Sequence, residues 1–185
     1  MDKQDYRKLI AERKKGCSDE WLAAASEVIT QSVASLDEFR DSGYIFAYMD
    51  MPGEVRMREF LSSCLAEGRH VALPRVEKRK MSFYEVTSFE DLQPGSMGIR
   101  EPVPDEARLA DGWTDVFMIM PGVAFDVNLH RIGYGGGCYD RFLEEHEVRV
   151  KAAVAYSWQV FENICYEEHD IRPDLLVTEE RLYRR

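Results

Sequence analysis

The sequence has no Gly-Lys dipeptide, no C-x-x-C pair, no internal repeat and no excess of basic residues. Each absence closes a class of function. Without Gly-Lys-Ser/Thr there is no P-loop of the usual kind. The four cysteines, Cys17, Cys64, Cys138 and Cys165, are too widely spaced for a zinc or dithiol redox motif and read as reduced thiols of a cytoplasmic protein. Long apolar runs are missing as well. The longest near-apolar stretch, residues 116–125, is broken by Pro121 and Gly122 and falls far short of the roughly 20 residues that span a bilayer. The first eight residues carry too many charges for a signal peptide. Acidic residues outnumber basic ones by 34 to 24, a formal net charge of −10. That field repels nucleic acid and anionic membrane, so neither is expected as a partner. A small anionic ligand is compatible with it, because a local group of arginines and lysines outweighs distant charge at short range.

What is present suits one globular domain over residues 1–185, with 45% apolar residues. The pattern predicts a basic helix over Lys3–Lys14. A second helix is predicted behind an N-cap at Ser18, with the stripe Trp21, Leu22, Ala25, Val28, Ile29, Val33 and Leu36. Strands are expected over Tyr44–Met49, Val71–Leu73, Met81–Val86, Val116–Met120, Ala152–Tyr156 and Leu175–Thr178. Further helices are expected over Glu54–Glu67 and Tyr139–His146. Gln93–Gly112, rich in proline and glycine, reads as one long ordered loop of a length that suits a lid. Strands alternating with helices predict an α/β fold, a mainly parallel central sheet covered by helices on both faces. Ligands of such sheets bind beyond the carboxyl ends of the strands.

The most informative segment is Arg131-Ile-Gly-Tyr-Gly-Gly-Gly-Cys-Tyr-Asp-Arg141. Gly133, Gly135, Gly136 and Gly137 let backbone N–H groups close on phosphate oxygens, and a helix start follows them. Counting G-x-G-x-x-G from Gly133 puts Cys138 where a dinucleotide fingerprint needs its third glycine. A phosphate cradle and a tight turn flanked by two surface arginines both fit the segment on its own.

The longer string decides the reading. Pro121-Gly-Val-Ala-Phe-Asp126, the glycine segment and Tyr139-Asp-Arg-Phe-Leu143 resemble the signature of the 5-formyltetrahydrofolate cyclo-ligases, also called methenyltetrahydrofolate synthetases. Lys3-x-x-x-Arg7, Tyr48 to Val55, Leu73-Pro-Arg75, residues 98–102, Gln159, His169-Asp170 and Asp174 with Val177-Thr-Glu179 follow in the family's order. The resemblance implies a three-layer NagB/RpiA/CoA-transferase-like fold and closure of 5-formyltetrahydrofolate to 5,10-methenyltetrahydrofolate, driven by ATP with Mg²⁺. It implies that Lys3, Arg7, Arg131 and the loop Gly133, Tyr134, Gly135, Gly136, Gly137, Cys138 and Tyr139 hold ATP, with Arg131 and Tyr139 at the chemistry. Met49 and Glu54 then meet the folate, and Asp140 and Asp174 hold Mg²⁺. Each of these has a plainer alternative. Lys3 and Arg7 also suit a solvated helix face, Asp140 a carboxylate complementing a helix dipole, and Glu54 a carboxylate at a helix start. A silent binding paralogue and a ligase or kinase for another acid are the competing functions. A monomer or weak homodimer is expected. Three positions depart from the family pattern: Cys138 for tyrosine, Leu129 for glycine and Cys165 for proline.

Overall fold

The computed structural model describes residues 1–95 and 98–185. In chain order the elements are α1 (Lys3–Lys15), α2 (Asp19–Ser35), α3 (Asp37–Arg40), β1 (Tyr44–Phe46), α4 (Arg58–Ala66), β2 (His70–Glu77), β3 (Lys80–Val86), β4 (Gln93–Pro94), β5 (Arg100–Glu101), β6 (Val116–Met120), β7 (Ala124–Asp126), β8 (Arg131–Ile132), α5 (Cys138–Glu145), β9 (Val150–Val154), β10 (Val160–Phe161), β11 (Leu175–Val177) and β12 (Leu182–Arg184).

Seven strands form one sheet in the order β12-β11-β9-β6-β1-β2-β3. Its five inner strands are parallel, and β3 and β12 close the two edges antiparallel. Every residue of β6 is buried, because both faces of the strand are covered. Phe117 and Ile119 point into a core built with α2, α3 and α4 through Ile29, Val33, Phe39 and Leu61. Val116, Met118 and Met120 point into a second core closed by Phe142 of α5 with Met81 and Phe83 of β3. Period-2 alternation thus feeds two apolar layers, which is why a central parallel strand reads as a continuous hydrophobic run. From β1 the chain turns to one side, to β2, and later to the other, to β6. The crevice beyond the carboxyl ends of β1 and β6 is therefore the switch point, where ligands of open α/β sheets bind.

A smaller sheet, β10-β7-β8, lies beside this edge. Helix α1 packs on it through Tyr6 and Ile10 against Ala124 and Ile132. The helix is held at its start by a reciprocal capping box between Asp2 and Asp5. The three-residue β7 and the two-residue β8 and β10 are too short to show a period, and the sequence pattern does not predict them.

Other differences from the sequence expectations have local causes. Ser18 does cap α2, accepting from the Trp21 amide at 3.1 Å. Trp21 and Val28, however, are 40% and 45% exposed. They lie seven residues apart on the flank of the stripe, while Leu22, Ala25, Ile29 and Val33 face the sheet. Helix α4 begins at Arg58 rather than at Glu54, because residues 50–57 close into a turn. In it the Asp50 carboxylate takes the Met57 amide at 2.9 Å, and the Glu54 amide donates to the Met51 carbonyl at 3.0 Å. The Gln93–Gly112 segment contains the β4–β5 hairpin and a bridge from Tyr84 to Leu109. Ser96 and Met97 of that segment lie outside the described residues.

Candidate active site

The glycine segment stands at the switch-point edge, because Arg131 and Ile132 pair back onto β7. The approach is set by Asp126, which is 1% exposed. Its carboxylate accepts from the amides of Asn128, His130 and Ile164 and from the His130 ring. This wiring forces Leu129 into the left-handed region at φ 67, a backbone that glycine adopts without strain. Leucine is accommodated here because its side chain is buried, 1% exposed, against Phe125, Ala153 and Leu176. Farther along, Gly135 and Gly137 hold φ values of 102° and 61°. A Cβ on Gly137 would stand 2.8 Å from the movable end of the Arg141 side chain, so it is the left-handed backbone that favours glycine there.

The loop separates two cavities. On one side lies a largely apolar pocket of about 260 Å³, walled by Tyr48, Met49, Pro74, Val76, Met81 and Tyr139 among others. Ile99, Arg100 and Glu101, from the long segment after β3, complete the wall. Two buried carboxylates line this pocket, Glu101, 3.8 Å from the Arg75 guanidinium, and Glu54. One Glu54 oxygen accepts from the Tyr134 hydroxyl at 2.5 Å and the other from the Met51 amide at 2.7 Å. Burial pushes the Glu54 carboxyl above its ordinary range, against the opposing pull of those two bonds. Burial and the neighbouring Glu54 charge also push the Tyr134 phenol up, so it stays a donor. Glu54 is thus a pocket group rather than a helix-start carboxylate, since α4 begins four residues later. Tyr134, counted with the nucleotide loop from sequence, bonds across to this pocket instead.

On the other side is a charged cleft of about 340 Å³. Lys3 and Arg7 reach it from α1, Arg131 and Asp140 from the loop and α5, and Glu167, His169 and Asp170 from the segment before β11. Arg7 Nε donates to the Gly133 carbonyl at 2.9 Å, so α1 steadies the loop directly. Arg131 is buried, with Nη2 3.0 Å from Asp140 Oδ1 and its guanidinium 5.7 Å from the Tyr139 ring centroid. Its Nε, itself buried, has no hydrogen-bond partner among the described residues. Lys3 Nζ contacts both Asp170 oxygens, at 2.7 and 3.0 Å, and Glu167 at 3.3 Å. Burial alone would raise the Asp170 carboxyl, but the Lys3 hydrogen bond, the Glu167 amide and the Lys3 charge outweigh it and hold it low. Neither Lys3 nor Arg7 is therefore a purely solvated face residue. Cys138 opens α5 at the boundary, packs against the second core and lies 3.7 Å from Arg141.

Of the residues predicted from sequence, Lys3, Arg7, Arg131, Gly133, Tyr134, Gly135, Gly136, Gly137, Cys138, Tyr139, Asp140, Met49 and Glu54 line one cavity or the other. Asp174 does not. It precedes β11 at the amino edge of the sheet, where its carboxylate takes the Lys151 amide at 2.8 Å and the Lys151 ammonium at 3.0 Å. The acid that the fold brings to the cleft from this region is Asp170, with Glu167 and His169 grouped beside it. Its sequence signal was the His169-Asp170 pair, four positions before the aspartate expected to serve.

Fold and site together define an α/β protein with an apolar pocket and a charged, glycine-walled cleft sharing one partition. A family model described as the 5-formyltetrahydrofolate cyclo-ligase family matches residues 1–179, and the chain belongs to that family. It is 28% identical to a probable 5-formyltetrahydrofolate cyclo-ligase of Schizosaccharomyces pombe, over all of this chain and 98% of that protein. It is 27% identical to the 5-formyltetrahydrofolate cyclo-ligase of Mus musculus, over 96% of this chain and 94% of that one. Among solved structures, the 5,10-methenyltetrahydrofolate synthetase of Aquifex aeolicus superposes with a TM-score of 0.88 at 36% identity, covering 100% of this chain and 93% of the other. The Mycoplasma pneumoniae 5,10-methenyltetrahydrofolate synthetase shares the fold, with a TM-score of 0.73 at 22% identity, covering 97% and 99%.

Proposed function

We propose that the chain closes 5-formyltetrahydrofolate to 5,10-methenyltetrahydrofolate while converting ATP to ADP and phosphate. The observation that carries this is the shared partition. Arg131, Gly133, Gly137 and Asp140 line both the apolar pocket and the charged cleft, so a γ-phosphate on one side faces a substrate on the other.

The chemistry needs that arrangement. The N5-formyl group is an amide, whose carbon is a poor electrophile and whose oxygen is a poor leaving group. Transfer of the γ-phosphoryl group to the formyl oxygen remedies both. N10 then attacks the activated carbon, its proton is released, and phosphate departs with the C–O bond electrons as the ring closes. The protein contributes placement and charge. Glu54 accepts hydrogen bonds from the pterin amino group and ring N–H, once Tyr134 and the Met51 amide share its oxygens. Met49 and Tyr139 flank the ring system, with Tyr139 braced against Arg131. Lys3, Arg7 and Arg131 neutralise the triphosphate, the loop amides cradle it, and Arg131 is poised for charge that grows during transfer.

The cleft's oxygen donors are chemically suited to Mg²⁺. Asp140 and Asp170 would hold it, with Glu167 in reach, and not Asp174. Bound there, the cation would offset phosphate charge. The fold groups with the NagB/RpiA/CoA-transferase-like sandwiches on this reading, and a cytoplasmic setting suits the four free thiols.

The test is direct. Purified protein given 5-formyltetrahydrofolate, ATP and Mg²⁺ should form the methenyl product, followed by its absorbance. No product and no ATP-dependent rise in melting temperature would sink the reading. Asp140→Asn and Asp170→Asn should each shift the Mg²⁺ titration of turnover, and Asp174→Asn should not. An unchanged titration in the first two removes them as metal holders.

A further inference from the structure

Ring closure releases a proton from N10, and a substrate that fills the apolar pocket displaces the water that would take it. The polar groups of the pocket narrow the choice of acceptor. Glu54 is engaged on both oxygens, by the Tyr134 hydroxyl and the Met51 amide. The Tyr48 hydroxyl donates to the Val55 carbonyl at 3.0 Å. Burial and the Glu54 charge push the Tyr139 phenol up, so it stays protonated and is no base. Asp140 Oδ1 accepts from Arg131 at 3.0 Å and from the Ile171 amide at 3.3 Å.

Glu101 of β5 is different. It is 6% exposed and lines the pocket. The Arg75 guanidinium lies 3.8 Å from its Oε2, beyond hydrogen-bond distance. Among the described residues neither Glu101 oxygen accepts a hydrogen bond, and neither is sealed in the core. Burying a carboxylate without such bonds costs stability, and an apolar residue at this strand position would avoid that cost. The hairpin nevertheless makes room for it. Glu101 pairs with Gln93 across β4 and β5, and the Gly95 amide donates to the Ile99 carbonyl at 2.8 Å. A Cβ on Gly95 would stand 2.4 Å from Glu101 Cδ and 2.5 Å from Oε2, so the carboxylate lies against bare backbone. Arg75 is itself held by Glu77 at 2.7 Å and by the Pro102 carbonyl at 3.1 Å. It faces Glu101 without closing on it.

We propose that Glu101 is the base of ring closure, taking the N10 proton as N10 attacks the activated formyl carbon. The proposal rests on the cyclo-ligase reading. The N10–C bond forms, the N10–H bond leaves its electron pair on nitrogen, and the proton goes to the Glu101 carboxylate. The nitrogen pair then drives phosphate out, and phosphate takes the C–O bond electrons. An N10 that keeps its proton has no pair to give, and the adduct falls back to the phosphorylated formyl group. Glu101 returns its proton to solvent as the product leaves.

Phosphoryl transfer and ring closure can be timed separately in a single turnover, ADP by rapid quench and the methenyl product by absorbance. In Glu101→Gln, ADP should form at the wild-type rate while the methenyl product lags by about a hundredfold, as for loss of a general base. The KM for ATP should not move. Glu101→Asp keeps a carboxylate on a shorter stem and should recover part of the closure rate. Melting curves should show both variants folded, since Arg75 keeps Glu77 and the Pro102 carbonyl. ADP and product slowed together in Glu101→Gln would place the residue before closure and overturn the proposal. So would a raised KM for the folate without a lag, which would leave Glu101 a group that only holds the ring. Glu101→Asp as slow as Glu101→Gln overturns it too. Wild type that forms no ADP with 5-formyltetrahydrofolate would instead defeat the cyclo-ligase reading.

Discussion

The two sides of the glycine loop treat a carboxylate in opposite ways. Glu54, in the apolar pocket, is held by a phenol and a backbone amide, and burial raises its pKa. Asp170, in the charged cleft, is also partly buried, yet the Lys3 ammonium holds its pKa down. The same functional group is kept reluctant to ionise on one side and firmly ionised on the other. The difference lies in the cations. Lys3, Arg7 and Arg131 all stand on the cleft side or in the partition, and Arg100 is the added cation in the pocket wall. A pocket of that kind suits a flat, neutral, hydrogen-bonding ring system, whereas the cleft sets Lys3, Arg7, Arg131 and Arg141 against Asp140, Glu144, Glu167 and Asp170.

The severest test of this division is to remove the cation in the partition. Arg131→Ala should leave the sheet intact and lower kcat by at least about a hundredfold, as loss of a donor to developing charge does. Steady-state kinetics with a melting curve would check it. Near wild-type turnover would reduce the glycine segment to a turn.

Glu54→Gln keeps the shape and the bond from Tyr134 but loses the charge. The KM for the folate should rise about tenfold, as for a hydrogen bond to an ionised group, with the KM for ATP unmoved. A rise in both would blur the two sides. The same variant has a pH signature. Because the folded pKa of Glu54 lies above its ordinary 4.5, the folded state binds a proton more readily than the unfolded chain. Wild type therefore loses stability as pH rises from 4.5 through the raised value. The variant should melt higher than wild type above that window and lose its advantage below pH 4.5. An advantage that does not change with pH would mean that burial does not act on Glu54 as argued.

Lys3→Ala should have the smallest effect, a rise of about fivefold in the KM for ATP, because Lys3 is partly exposed and screened. It should also raise the Asp170 pKa. The stability that Asp170 contributes is lost as pH falls through its lowered value, so the variant should be less sensitive to acid below pH 3.8 than wild type. Equal acid profiles would deny the pairing.

How much of this could be read from the chain differs from element to element. The central sheet was legible where strands are buried on both faces, as in Val116–Met120, and the glycine loop where spacing alone excluded other cradles. The small sheet was not, because two- and three-residue strands carry no period and owe their place to α1 and to Asp126. At Glu54 sequence located the residue but left open a helix start. The turn closed by the Asp50–Met57 and Glu54–Met51 bonds decides it, and the Tyr156 hydroxyl, far off in sequence, pins it by donating to the Glu54 carbonyl at 2.9 Å. Of the acids before β11, the sequence reading chose Asp174, and the fold brings Asp170 to the cleft instead. Asp170 and Asp174 look alike in the chain, and the sheet sends them to opposite edges. Leu129 looked like a defect in a glycine position. The fold keeps the glycine backbone there and uses the leucine side chain as core.

The ion pair from Lys3 to Asp170 joins residues 167 apart in sequence. A contact of that span can form only after the intervening chain has collapsed around the sheet. During synthesis the cleft cannot exist until residue 170 has left the ribosome, by which time β6 and β9 are already available to pair. On the proposed function, ATP would bind the finished fold alone, and as a ligand of the folded state it would select mature chains over unfinished ones and deepen the well they occupy.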